Sequence, residues 1–107
     1  MRDVVERVDR LQRLAVFEAA ARLGSFSAAA AELGMTQPAV TRQISALEHS
    51  LGADLFVRTA NRSTLSEIGA RLHDHVSAGL DVIEAGLAEL AEHAGTFVLA
   101  AHPGIAQ

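Results

Sequence analysis

Residues 26–51, FSAAAAELGMTQPAVTRQISALEHSL, constrain this chain more than any other stretch. An alanine-rich run ends at Leu33, meets Gly34-Met35, and is followed by Thr36-Gln37-Pro38. Alanine is the strongest helix former, and Gly34 is a natural stop. Thr36 is an N-cap residue type, and Pro38 then falls in the first turn of a new helix, where its missing N–H has no intrahelical partner to lose. Val40, Ile44, Leu47 and Leu51 recur at spacings of four, three and four, which predicts an inward apolar stripe. Gln37, Thr41, Arg42, Ser45 and His49 share the opposite face. A short helix, a glycine turn and a second helix with a polar outer face make the helix-turn-helix pattern, which enters a DNA groove.

The chain has 107 residues, enough for one small domain and an appendage. Half of them are hydrophobic, dominated by alanine and leucine, and only four are aromatic, which favours helix over sheet. No cysteine is present, so a disulfide framework, a thiol nucleophile and a zinc finger are excluded. No apolar run approaches the roughly 18 residues that span a bilayer. The opening MRDVVERVDR is too charged for a signal peptide, and a soluble, cytoplasmic protein without membrane association is expected. The net charge of −4 argues against a nucleic-acid partner until its distribution is read. Residues 1–65 hold eight arginines and seven acids, whereas residues 66–107 hold Arg71 and six acids. The acidic part is expected to lie away from any polyanion.

The first helix is placed at about 9–23, with Asp9 and Gln12 as a capping box and Leu11, Leu14, Phe17 and Ala21 on its core face. Residues 1–8 either extend it or fray. Gly24 stops it, and Ser27 is the expected N-cap of the second helix. After Gly52, Leu55-Phe56-Val57-Arg58 and Thr64-Leu65 flank a polar tip with Asn61 and Arg62, which reads as a small hairpin. Residues 66–94 contain no proline and form one long helical pattern of about 43 Å. Its apolar residues (Ile68, Leu72, Val76, Gly79 or Leu80, Ile83, Leu87, Leu90) outrun what the head can cover, so self-association is expected. Gly69, Gly79 and Gly86 weaken this helix, and close backbone contact is the expected reason for them. Residues 96–101, TFVLAA, read as a buried strand with no sheet to join, the start of a second domain over 95–107.

These residues together resemble the N-terminal domain of LysR-type transcriptional regulators. The resemblance is carried by Leu14-x-x-Phe17, Gly24-Ser25-Phe26-Ser27-x-Ala29-Ala30-x-x-Leu33, the run from Thr36-Gln37-Pro38 through Leu51-Gly52, Leu55-Phe56-x-Arg58 and Leu65-Ser66-x-x-Gly69. It covers about residues 9–94. It implies a mainly α fold, a winged helix-turn-helix over 1–65 with a small β-hairpin wing, and then a long dimerisation linker helix over 66–94. It further implies that the linker helices pair antiparallel in a homodimer, with higher oligomers in a longer protein, and that 95–107 opens an effector-binding domain. Double-stranded DNA, with an inverted-repeat operator bounded by T and A, and RNA polymerase are the expected partners, and no cofactor is expected. Two departures stand out: Ala60 occupies a position where the family carries Gly or Pro, and eight residues precede the usual start.

Candidate DNA contacts follow. Gln37 at the exposed start of the third helix suits adenine N6/N7, and Arg42 suits guanine or phosphate. Thr41 suits a phosphate or a thymine methyl, and Ser45 completes that face. Thr36 and Ser27 are caps with phosphate contact as a second role; Pro38 shapes the first turn, and the resemblance sets it against a base step. Asn61 and Arg62 belong to the wing tip. Arg58 either joins them or pairs with Glu48 or Asp54. The expected dimer seam is Leu72, Val76, Gly79, Leu80, Ile83, Leu87 and Leu90. His73 and His75 lie two apart on a helix, about 200° from one another, so they cannot chelate a metal from one face and are read as solvated. No phosphate loop or catalytic triad is present, and the chain is not read as an enzyme. Two rivals stay open: a molybdate-responsive regulator, whose N-terminal domain is similar, and an interaction module that has lost DNA binding.

Overall fold

The structure is a computed structural model that describes residues 2–59 and 62–93, with side chains from Val4 onward. The expected tip residues Ala60 and Asn61 and the expected second-domain start over 95–107 lie outside the described residues. Helix α1 (Arg2–Leu23) begins seven residues before the expected position. No Gly or Pro interrupts residues 2–23, so the helix propagates through Asp9, which is interior and does not cap it. Its core face is Val16, Phe17, Ala19 and Ala20, flanked by Leu14 and Ala21. Leu11, expected inward, is exposed, as are Val4, Val5 and Val8, because the buried set of α1 begins only at Leu14.

Helix α2 (Phe26–Leu33) starts two residues earlier than a Ser27 cap requires. Ser25 is the N-cap: its backbone is extended and its Oγ accepts the Ala28 N–H at 3.0 Å. One extended residue after Gly24 is enough to enter the helix, which leaves Ser27 in the exposed first turn and buries the Phe26 ring. Ala29 and Ala30 are buried, and their size lets α2 approach α1 and α3 closely. Gly34 then takes φ 67°, ψ 33°, a left-handed conformation that costs a side-chain-bearing residue strain, and donates its N–H to the Ala30 carbonyl. Thr36 caps α3 (Gln37–Leu51) as expected, its Oγ1 accepting the Ala39 N–H at 3.2 Å. Val40, Ile44 and Leu47 are fully buried. Leu51, the fourth member of the predicted stripe, is exposed in the last turn before Gly52 ends the helix.

Strands β1 (Phe56–Arg58) and β2 (Ser63–Leu65) form the antiparallel hairpin, with Phe56 opposite Leu65 and Arg58 opposite Ser63. The Phe56 ring meets Phe26 edge-on at 5.0 Å and Phe17 at 5.6 Å, so three of the four phenylalanines anchor the hairpin to the helical core. A two-stranded hairpin is marginal alone, and this one is tied at its base. Ser66 N–H donates to the Leu55 carbonyl at 2.9 Å, and its hydroxyl donates to the Asp54 carbonyl at 2.7 Å while accepting the Gly69 N–H at 3.0 Å. That last bond caps α4 (Glu67–His93).

The chain divides into two compact units, Met1–Val76 and Ser77–Gln107. In the first, Gly69 is buried against the hairpin: a Cβ there would lie 2.1 Å from the Leu55 carbonyl oxygen, so the expected close contact is real at this position. Leu72 and Val76 pack against the core of the same unit. His73, read from sequence as solvated, is instead half-buried, edge-on to Phe17 with its Nε2 3.6 Å from Glu18; the sequence reading missed that this turn of α4 still faces the core. His75 is exposed. In the second unit Ile83, Leu87 and Leu90 are exposed and Leu80 is half-buried. Gly79 and Gly86 have open space where a Cβ would stand, so within one chain the close contact expected for them is absent. Among the described residues no helix is long and apolar enough to cross a membrane.

Candidate nucleic-acid interface

The outward face of α3 is polar as the spacing predicts. Gln37, Pro38, Arg42, Ser45 and His49 are exposed, and Thr41 is half-buried. Beside this face, α2 and the hairpin enclose an open cleft of about 370 Å³. It is lined by Gly24, Ser25, Phe26, Ser27, Gln37, Thr41, Arg58, Thr59, Arg62 and Ser63, with no acidic residue among them. Five expected contact residues therefore meet at one place: Ser27, Gln37, Thr41, Arg58 and Arg62. Thr36 sits at the entry to α3 with its hydroxyl oxygen engaged in the cap, and Asn61 lies outside the described residues.

Arg58 takes neither of the carboxylate partners offered for it. Its guanidinium lies over the Phe26 ring, 4.7 Å from the centroid. A planar cation on an aromatic face keeps its N–H edge free for a second partner. Sequence spacing carried this signal unread: Phe56 and Arg58 alternate on one strand face, and Phe56 already packs on Phe26. Glu48 turns instead to the hairpin backbone, accepting the Leu55 N–H at 2.8 Å and the Phe56 N–H at 3.3 Å. Thr59 closes the tip turn, its N–H donating to the Arg62 carbonyl at 2.9 Å.

The electrostatics separate structural from available arginines. Arg22 is engaged by Glu18 at 3.0 Å and by Glu32, an arrangement that clasps α1 to α2. The Glu32 carboxylate raises the Arg22 guanidinium further above its ordinary value, and the Arg22 guanidinium holds Glu32 below the usual carboxylate range. Arg58 and Arg62 are exposed in the cleft, so this concave, acid-free surface carries two positive charges, and Arg42 is exposed on the outward face of α3. That arrangement suits a phosphate-bearing polymer.

Residues 11–70 match the family model described as bacterial regulatory helix-turn-helix protein, lysR family. The transcriptional regulator DsdC of Escherichia coli (strain K12) is 36% identical over 92% of this chain, which spans 32% of DsdC. Among solved structures, the BenM DNA-binding domain in complex with catB site 1 DNA superposes with a TM-score of 0.73 at 27% identity, covering 79% of this chain and 94% of that one. The CbnR DNA-binding domain in complex with DNA gives 0.68 at 30% identity, covering 78% and 97%. The chain spans less than a third of the length of the first curated relatives it matches. Those relatives are transcriptional regulators and not enzymes. The winged helix-turn-helix followed by a long helix is the fold that the residues predicted. The chain belongs to the LysR family of bacterial regulatory helix-turn-helix proteins.

Proposed function

We propose that this chain is the sequence-specific DNA-binding part of a bacterial transcriptional regulator, and that it binds an inverted-repeat operator as a homodimer. The observation that carries the reading is the acid-free cleft in which the α3 face meets Arg58 and Arg62 of the wing. In this arrangement α3 enters the major groove, with Gln37 and Arg42 at base edges and Thr41, Ser45 and Pro38 beside them. Ser27 and Thr36 face the phosphates, and the wing with Arg58, Asn61 and Arg62 runs alongside. The solved DNA complexes of BenM and CbnR support the same partner.

One copy offers few positive charges, so strong binding calls for two. The exposed Ile83, Leu87 and Leu90, with half-buried Leu80, supply an apolar stripe on α4 that suits a second copy, with Gly79 beside it. Leu72 and Val76 contribute less, since they already pack on their own core. Half-sites then fall on one face of the duplex, about 10 bp or a multiple apart. A longer protein of this kind works in the cytoplasm, with RNA polymerase as a further partner.

A gel-shift titration of the chain on a duplex selected from a random pool, at two salt concentrations, tests the reading. Binding must weaken as salt rises, because each neutralised phosphate releases counterions. No salt-sensitive shift at micromolar protein would favour an interaction module instead, a role to which the acidic net charge lends some support.

A further inference from the structure

Glu48 sits in the last turn of α3, where a carboxylate is opposed by the helix dipole and does nothing for the helix itself. Its two ends meet different parts of the chain. The main-chain carbonyl accepts Gly52 N–H at 2.8 Å and Ala53 N–H at 3.2 Å, which closes α3. The carboxylate oxygen accepts the N–H groups of Leu55 and Phe56, at 2.8 and 3.3 Å, where β1 begins. On the other side of the same residue, the Leu55 carbonyl is held by Ser66 N–H at 2.9 Å, and Gly69 lies against it. The start of the wing is therefore clamped from both sides, and the clamp on the α3 side is a single charge-assisted acceptor.

We propose that Glu48 is a positioning residue for DNA binding: it fixes the wing to the end of α3, so that Arg58 and Arg62 meet the backbone in register with the α3 face. Without the carboxylate, the Leu55 and Phe56 N–H groups lose their acceptor on α3. The apolar packing that remains holds the hairpin to the core without fixing its register, and the wing cations no longer share one rigid frame with Arg42. The proposal deepens the DNA-binding reading and rests on it.

The test compares full-chain variants on a duplex selected with the unmodified chain, using the slope of log affinity against log salt. Each phosphate contact contributes about 0.9 to that slope. Glu48→Ala is expected to shallow the slope by about one to two units and to weaken binding roughly tenfold at low salt. Glu48→Gln, which keeps one acceptor oxygen, restores most of the slope. Adding Arg62→Ala to Glu48→Ala brings little further loss, whereas adding Arg42→Ala brings its full separate loss. Should Glu48→Ala not fold, Glu48→Asp carries the test: it keeps the charge, falls one methylene short of Leu55, and shows the same shallower slope. A merely structural role would lower the melting temperature and the active fraction while leaving the slope of the folded fraction unchanged, and that result overturns the proposal. If the unmodified chain gives no salt-sensitive shift, the DNA reading falls and takes this proposal with it; if it does and the slopes of Glu48→Ala and Glu48→Asp match it, only the positioning role falls.

Discussion

Helix α3 and the second half of α4 are both amphipathic, and each leaves one face open, but the open faces are opposite in kind. In α3 the apolar side is spent on the core, where Val40, Ile44 and Leu47 have no exposure, and what remains outside is Gln37, Arg42, Ser45 and His49. In α4 beyond Val76, Ile83, Leu87 and Leu90 remain outside, with Asp81, Glu84, Glu89 and Glu92 on the same helix. A polar face is stable in water and gains from a polyanion mainly through charge. An apolar face costs free energy until another apolar surface covers it. In the proposed function the first face meets DNA and the second meets another copy of the chain.

The largest test of this contrast is Leu87→Asp, which places a charge in the middle of the stripe. If α4 pairs with a second copy as proposed, burying that charge costs about 3 kcal/mol or more, so the dissociation constant of the proposed dimer rises by roughly a hundredfold or more and monomers dominate in sedimentation. A dimer that survives would refute the seam. Next, the two halves of α4 should answer differently to the same change. Gly69→Ala drives a Cβ into the Leu55 backbone and is expected to cost about 1–3 kcal/mol, visible as a drop in thermal midpoint. Gly79→Ala meets open space and is expected to gain about 1 kcal/mol of helix propensity in the monomeric chain. On the α3 face, Arg42→Ala is expected to weaken the selected duplex by about 1–3 kcal/mol and random DNA by less. Equal loss on both would reduce Arg42 to a phosphate contact.

Smaller effects separate the residues that build α2 from those that face outward. Ser25→Ala removes the observed cap and is expected to cost about 1 kcal/mol, whereas Ser27→Ala leaves thermal stability nearly unchanged and acts on DNA affinity. The smallest effect concerns Arg22 and Glu32. Because Glu32 is held below its ordinary value by Arg22, the pair's contribution is fully present above the usual glutamate range and is lost as pH falls from that range through the lowered value of the folded chain. Arg22→Ala should therefore melt slightly below the parent at neutral pH and together with it in acid; the difference is small because both side chains are close to half exposed.

How much was legible in the sequence depended on whether a local signal had to compete with a distant one. The glycine stops, the Thr36 cap and the α3 stripe up to Leu47 were readable because each is decided within a few residues. The reading failed at the ends of elements. Ser25 and Ser27 are both N-cap types, and the choice between them was made by where Phe26 had to be buried. Asp9 looked like a start because no sequence rule says that a helix must begin at its best cap. Leu11 and Leu51 continue a correct period past the point where another element covers it, so periodicity reported the face but not the extent of the core. His73 failed in the other direction: an isolated histidine gave no hint of Phe17 and Glu18 on the neighbouring helix. For the site, the residue types on α3 were legible, whereas the partners of Arg58 and Glu48 were not, since an arginine and a carboxylate near each other in sequence suggest an ion pair that the hairpin geometry does not make.

The seat of Arg58 on Phe26 has a consequence for genetics. Holding the guanidinium on a ring restricts its rotamers, so if Arg58 meets DNA as proposed, part of the ordering cost of binding is met when the chain folds. Replacing Phe26 by leucine would keep the position apolar and the chain folded but would release the cation. On that reading, a screen for alleles that bind operator poorly yet accumulate normally would return the largely buried Phe26 alongside the surface arginines.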